Sequence, residues 1–159
     1  MYRIHPLSEV PDARDICIRW SDVEWSGAAG FTPLDWEAEL QRIEADPVDE
    51  IFVAMLEGTP VGMVWLLEHE DVDSHAHLTP WLSCLVVDEN HRDKGVARAL
   101  VSHLEGYVAA GGDNRLYLLT ESPTYYFTLD WEVLDTATLG DRSVFVMKKQ
   151  ITLPPTDEE

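Results

Sequence analysis

The sequence has few cysteines, and it lacks a long apolar run. Two of its 159 residues are cysteines, Cys17 and Cys84, and we interpret them as buried small hydrophobic residues, because a chain of this length forms a core without disulfides. No apolar run approaches the roughly 18 residues that span a bilayer. The length of the chain predicts a single domain over residues 1–150. Residues 1–6 lack the apolar stretch of a signal peptide, so we expect a cytoplasmic protein.

Basic residues are also scarce. The chain has 30 acidic and 11 basic residues and a formal net charge of -19 at pH 7. This charge repels nucleic acid and anionic membrane surfaces, so we expect neither as a partner. It either serves solubility or attracts cationic amines. An anionic ligand would need a local cluster of positive charge, which Arg92, Lys94 and Arg98 provide.

The apolar periodicity predicts an α/β (α+β) protein with a mixed central sheet of about seven strands. The strands are expected near residues 2–5, 51–56, 60–67, 82–87, 115–121, 131–137 and 143–149, and the helices near 11–25, 33–46, 96–110 and 122–129. The strands flanking the third helix are expected to be parallel. Residues 68–79 are predicted to form a loop, and residues 151–159 a disordered tail.

A glycine-containing turn follows the strand at residues 82–87. Gly95 opens the next helix, whose first N–H groups lack intrahelical acceptors and lie at the positive end of the helix dipole. Gly95 and Ala97 leave little side chain between the backbone and a ligand, and Arg92 and Lys94 add positive charge. These features predict a phosphate-binding site. A nucleotide phosphotransferase is disfavoured because the sequence lacks Gly-x-x-x-x-Gly-Lys-Ser/Thr.

The run Arg92-Asp93-Lys94-Gly95-Val96-Ala97 resembles the Arg/Gln-x-x-Gly-x-Gly/Ala segment of the Gcn5-related N-acetyltransferases (GNAT). In that family this loop holds the pyrophosphate of acetyl coenzyme A. The resemblance spans roughly residues 2–149, and it implies the acyl-CoA N-acyltransferase fold with helices on both faces of the sheet. It also implies that acetyl-CoA is the cosubstrate and is bound by the residues of this run, namely Arg92, Asp93, Lys94, Gly95, Val96 and Ala97.

The resemblance extends to the preceding strand. In related enzymes this strand has a bulge or splays from its neighbour. The resemblance therefore implies that the backbone groups of Leu85, Val86 and Val87 are free to bind pantetheine and to polarise the thioester carbonyl. A fully buried strand with every N–H paired fits the composition equally well.

A second motif lies at residues 124–131, Thr-Tyr-Tyr-Phe-Thr-Leu-Asp-Trp, which resembles the family's Phe-Tyr-x-x-Leu-Gly-Phe. The resemblance implies that Tyr126 is the catalytic general acid that protonates the departing coenzyme thiolate. A phenol is suited to this role because it keeps its proton at neutral pH. Alternatively, Tyr125 and Tyr126 are packing residues of a short helix. Asp130 replaces the usual glycine, which puts the local turn geometry in question, and Trp131 replaces the usual phenylalanine.

The general base is not identified by the sequence. Many relatives carry a glutamate where this chain has Ser83, and serine cannot serve alone. The other candidates are solvent and the side chains of Glu68, Glu70, Asp71, His75, His77 and Glu121. His75-Ala76-His77 suggests a metal site, but no cysteine pair or acidic box completes a ligand set, so we expect no metal. By analogy with relatives, Trp25 and Phe31 could line an acceptor pocket.

The main hypothesis is an N-acetyltransferase that moves an acetyl group from acetyl-CoA to an amine by direct attack. The acceptor is a small cationic amine or a peptide amino group. The alternative is a catalytically inactive acyl-CoA-binding sensor or partner module, for which Ser83 is the supporting observation. Since many relatives pair, a homodimer is expected.

Overall fold

The computed structural model describes residues 2–29, 32–70 and 72–153. Its strands and helices are, in chain order, β1 (Arg3–Pro6), α1 (Arg14–Ala29), α2 (Pro33–Ala45), β2 (Glu50–Leu56), β3 (Thr59–Leu67), β4 (Trp81–Val87), α3 (Val96–Ala110), β5 (Arg115–Thr120), α4 (Thr124–Phe127), β6 (Glu132–Leu139) and β7 (Arg142–Gln150). The strands form a mixed seven-stranded sheet in the order β1-β2-β3-β4-β5-β7-β6. The predicted fold class is confirmed.

The chain divides into two compact units, and β4 and α3 each contribute to both. Unit 1 consists of Met1–Leu66 and Cys84–Val101, and unit 2 of Leu67–Ser83 and Ser102–Glu159. The single domain over residues 1–150 stays a prediction.

Unit 1 is built on an antiparallel meander. Strand β2 pairs with β1, where Ile4 lies opposite Ala54, and with β3, where Val53 lies opposite Met63. Residues 51–54 of β2 and 61–67 of β3 are buried without a break, because both strands lie inside the sheet. A tight turn at Glu57 and Gly58 joins β2 directly to β3.

Helices α1 and α2 complete unit 1. Thr32 caps α2, because its hydroxyl accepts the Asp35 N–H (3.4 Å) while the Asp35 carboxylate accepts the Thr32 N–H (2.7 Å). Arg14 of α1 donates from its Nε to both Glu44 oxygens of α2 at 3.2 Å. Local capping therefore starts α2, and an ion pair ties it to α1.

Unit 2 contains the remaining strands. Strand β7 pairs antiparallel with β5 and with the edge strand β6. Strand β5 runs parallel to β4, as predicted, with Tyr117 opposite Trp81, and the rings of these two residues lie 5.6 Å apart. Ile151 is buried, and its N–H donates to the Asn114 carbonyl at 2.7 Å. The rest of the predicted tail, residues 154–159, lies outside the described residues.

Helix α3 is amphipathic. Its apolar residues Leu100, Val101, Leu104 and Val108 are all buried. None of the helices in the described ranges is both long enough and apolar enough to cross a membrane.

Candidate functional site

A short turn connects β4 to the glycine-containing loop in unit 1. The Asp88 carboxylate caps this 3-10 turn (Glu89–His91), accepting the Asn90 N–H at 3.2 Å and hydrogen-bonding the His91 ring at 3.0 Å. The hydrogen bond with His91, aided by that from Asn90, holds the pKa of Asp88 below its usual range. Asp88 therefore stays ionised and anchors the start of the loop.

The loop reaches α3 through left-handed backbone at Asp93 (φ 62°) and Gly95 (φ 85°). The Ala99 N–H donates to the Gly95 carbonyl at 3.0 Å, so the first three N–H groups of α3 precede the intrahelical hydrogen bonds. A Cβ atom added at Gly95 would lie in open space, with no atom within 4 Å. The fifteen-residue helix thus presents N–H groups and its positive dipole end to an open surface, which suits a phosphate.

Tyrosine and arginine side chains position this loop. The Arg92 Nε donates to the Val87 carbonyl at 3.2 Å, and its Nη2 lies 3.4 Å from the Glu24 carboxylate of α1. The Tyr2 hydroxyl donates to the Lys94 carbonyl at 2.8 Å. The side chains of Lys94 and Arg98 are exposed. Together, Arg92, Lys94 and Arg98 form the predicted patch of positive charge.

Strand β4 is irregular where a bulge was expected. Cys84 has a φ of 48°, the left-handed region that non-glycine residues seldom adopt. Directly after it, Leu85 and Val87 are half-buried, whereas Val86 is 5% exposed. The Cys84 conformation interrupts the regular strand, and Ser83, which stands where relatives carry a glutamate, is half-buried beside it.

Tyr126 lies on α4 in unit 2. Its ring packs edge-on against the rings of Tyr125 (5.4 Å) and Trp131 (6.0 Å). Burial, with a smaller contribution from the neighbouring Tyr125 phenol, raises its pKa to about 12. Its carbonyl accepts the N–H groups of Leu129 (3.0 Å) and Trp131 (3.1 Å), which closes the turn after the helix. The phenol therefore keeps its proton throughout the neutral pH range.

Asp130, at the position of the glycine in the resembled motif, lies in a turn with left-handed backbone. Asp130 adopts a φ of 69°, a left-handed conformation that glycine adopts without strain and that aspartate tolerates better than most residues. Trp131 is 3% exposed, and its indole N–H has no hydrogen-bond partner in the described part of the chain.

The candidate bases of the β3–β4 connection lie in unit 2, and His75 is the most constrained. It is 8% exposed, and its ring nitrogens bond Ser74 (2.7 Å) and the Asp135 carboxylate of β6 (2.9 Å). This hydrogen bond, aided by the Thr136 N–H, lowers the pKa of Asp135. His77 stacks on His75 at 6.4 Å. These residues line an open depression of about 880 Å³.

The other candidate bases are dispersed. Glu68 lies 3.8 Å from His69, and Glu121 pairs with Arg142. Glu70 is half-buried, and Asp71 lies outside the described residues. In the described ranges, no three His, Cys, Asp or Glu residues form a group that could hold a metal ion.

Trp25, a predicted acceptor-pocket residue, is half-buried, with its ring 6.2 Å from that of Trp36. Phe31, the other such residue, lies outside the described residues. The structure thus gathers residues 85–97 in unit 1 and places Tyr126 in unit 2. Sequence reasoning missed Tyr2 and Glu24, because both reach the loop from distant parts of the chain.

Comparison with solved structures shows the same fold. The chain is similar to an aminoglycoside 6'-N-acetyltransferase complexed with coenzyme A, at 18% identity and a TM-score of 0.77, over 97% of this chain and 99% of that one. It is similar to the aminoglycoside 6'-N-acetyltransferase of Enterococcus faecium, at 17% identity and a TM-score of 0.72, over 97% and 99% of the two chains. The yncA protein of Salmonella typhimurium, solved with its cofactor acetyl-CoA, gives 18% identity and a TM-score of 0.71, over 99% and 98%.

No curated protein matches the sequence significantly. The family model described as Acetyltransferase (GNAT) family, in contrast, matches residues 14–126. This stretch includes α1, the glycine-containing loop, α3 and Tyr126, and it is well over half of the chain. The chain therefore belongs to the acetyltransferase (GNAT) family.

Proposed function

We propose that this protein transfers the acetyl group of acetyl-CoA to an amine, by direct attack of the amine on the thioester. The observation that carries the proposal is the open, positively charged N-terminus of α3, where Gly95 leaves space for a ligand. Family membership supports it, as do similar proteins solved with coenzyme A and with acetyl-CoA. The cosubstrate supplies the acetyl group in activated form, and the protein binds, orients and protonates.

The diphosphate is assigned to residues 92–97. The first N–H groups of α3 and the side chains of Arg92 and Lys94 neutralise its charge. The backbone of Leu85, Val86 and Val87 is assigned to the pantetheine arm and to the thioester carbonyl. The left-handed residue Cys84 supports this assignment, since it turns the following backbone away from regular strand geometry.

Tyr126 is assigned as the general acid. Its raised pKa means that it enters the reaction protonated at any physiological pH. The burial that raises the pKa of the phenol also disfavours a charged thiolate, so the departing thiolate takes up a proton more readily there than it would in water.

The amine is proposed to lose its proton to solvent. Ser83 cannot hold a proton from an amine at neutral pH. His75 has both ring nitrogens hydrogen-bonded, and Glu121 is paired with Arg142. Water is therefore the simplest acceptor of this proton.

The acceptor is proposed to be a small cationic amine, drawn by the net charge of -19, or a peptide amino group. Aminoglycosides are the first small amines to test, because two of the similar structures are aminoglycoside acetyltransferases. We further propose a cytoplasmic, homodimeric protein.

Titration calorimetry with acetyl-CoA tests the coenzyme site. The double variant Arg92→Ala, Gly95→Glu should abolish the binding shown by the parent chain. Its matched control is Arg115→Ala, Gly112→Glu, because Gly112 also has a positive φ and open space but lies at the other end of α3. Equal binding by both variants and the parent, or no binding by the parent, would disprove the assignment.

A catalytically inactive coenzyme sensor remains the second candidate, because Ser83 replaces the usual glutamate. The variant Tyr126→Phe separates the two functions. For an enzyme, this variant should bind acetyl-CoA like the parent and lose about 100-fold or more in kcat with an accepted amine. Tyr125→Phe is the control, since Tyr125 is 42% exposed. A parent chain that binds acetyl-CoA and acetylates nothing in a broad amine panel would be the sensor.

A further inference from the structure

An acidic side chain of α1 contacts the loop assigned to the diphosphate. The Glu24 Oε1 lies 3.4 Å from the Arg92 Nη2, and the two side chains are 39% and 55% exposed. The Arg92 Nε donates to the Val87 carbonyl at the same time. Two directions of the guanidinium are therefore occupied by partners within the protein.

The other cations of the loop differ from Arg92. In the part of the chain that the structure describes, no ion pair involves Lys94 or Arg98. These two side chains can meet a phosphate without leaving an acidic partner. To bind a phosphate, Arg92 has to break its ion pair with the Glu24 carboxylate.

Helix α1 fixes the carboxylate at this place. Trp20, one helical turn before Glu24, is 8% exposed and hydrogen-bonds Asp88, which anchors the start of the same loop. Residues four apart lie on the same face of a helix. Glu24 therefore lies on the same face of α1 as Trp20, the residue that hydrogen-bonds Asp88 at the start of the loop.

We propose that Glu24 competes with the coenzyme diphosphate for Arg92 and so sets the affinity for the coenzyme. This inference rests on the proposed function. The diphosphate must displace the carboxylate from Arg92 and must then bind beside a negative charge. Glu24 is a positioning residue that weakens binding of substrate and product coenzyme alike, because both carry the same diphosphate. The effect is modest, since exposed ion pairs are weak.

The experiment is a double-mutant cycle measured by titration calorimetry with acetyl-CoA. Glu24→Gln, which keeps the side-chain shape, should tighten binding about two- to fivefold at low ionic strength, and less at high salt. In the Arg92→Ala background the same change should have a clearly smaller effect, because the competition for Arg92 is gone and only the repulsion between Glu24 and the diphosphate remains. Asp15→Asn is the control, since it removes one charge from an exposed position of the same helix.

The outcomes separate this inference from the proposed function. No binding by the parent chain would refute the coenzyme site, and the role of Glu24 with it. Binding by the parent, with equal or weaker binding by Glu24→Gln, would refute the competition alone. An equal gain in the Arg92→Ala background, or in Asp15→Asn, would also refute it, because the effect would then come from net charge. Titration with pantetheine, which lacks the diphosphate, should show no gain for Glu24→Gln.

Discussion

Gly62 of β3 lies where the strand, β4 and the start of α3 meet. A Cβ atom at this position would be 2.9 Å from the Val86 carbonyl oxygen, 2.9 Å from the Val96 Cγ1 and 3.1 Å from the Leu100 Cδ1. The first of these atoms belongs to the backbone and cannot move aside cheaply. We therefore expect Gly62→Ala to be destabilising, although alanine is ordinarily preferred to glycine within a strand.

Two opposing contributions set the magnitude. The steric overlap destabilises the folded state by about 1–3 kcal/mol, and the smaller entropy loss of alanine relative to glycine offsets about 0.5–1 kcal/mol of this. For a chain of this size, the net destabilisation lowers Tm by roughly 2–4 °C for each kcal/mol. Val96 is the first residue of α3, so the overlap should also disturb the backbone assigned to the diphosphate.

Gly106 provides the matched control. It lies on the exposed face of α3, and an added Cβ atom would meet nothing within 4 Å. Gly106→Ala should therefore stabilise the protein by about 0.5–1 kcal/mol, through helix propensity alone. The same substitution thus has opposite signs at the two positions, and their difference isolates the steric overlap.

Urea denaturation followed by circular dichroism measures the free energy of unfolding of both variants, and calorimetry measures their affinity for acetyl-CoA. We expect reduced stability and weaker coenzyme binding for Gly62→Ala, and parental binding for Gly106→Ala. If Gly62→Ala is as stable as the parent, the close approach of the Val86 carbonyl does not constrain the fold and the reasoning fails.

Three further predictions concern single side chains. Asp130→Gly should stabilise the protein by up to about 1 kcal/mol in urea denaturation, because it relieves left-handed backbone, whereas Asp130→Ala should destabilise it; equal effects would contradict this. The N–H groups of Asp49 and Val48 lower the pKa of Asp46, so its stabilisation is present above its ordinary pKa and is lost as the pH falls through the lowered value. Asp46→Ala should therefore be less stable than the parent at pH 6 and should approach it near pH 2 in thermal scans; a constant gap would refute this. Burial raises the pKa of Tyr126 from 10.0 to about 12, so stability should fall as the pH rises through this interval, and an unchanged alkaline loss in Tyr126→Phe would contradict the assignment.

Features that depend on neighbouring residues could be predicted from the amino-acid sequence. The apolar runs of β2 and β3, the cap of Thr32 on α2 and the buried face of α3 are local patterns, and the structure has all of them. The glycine-containing loop could also be predicted from the sequence, because a strand, a polar turn and a helix start are adjacent in the chain. The family resemblance followed from this loop and from the motif around Tyr126.

The distant residues that act on these local motifs are known from the three-dimensional fold alone. Glu24 reaches Arg92 across 68 positions, and His75 reaches Asp135 across 60. No local pattern specifies such pairs, since they depend on how helices and strands pack. The left-handed conformation of Cys84 is likewise set by the surrounding sheet, because cysteine has no preference for it. The composition of the loop thus comes from the sequence, whereas the partners of its charges come from the fold.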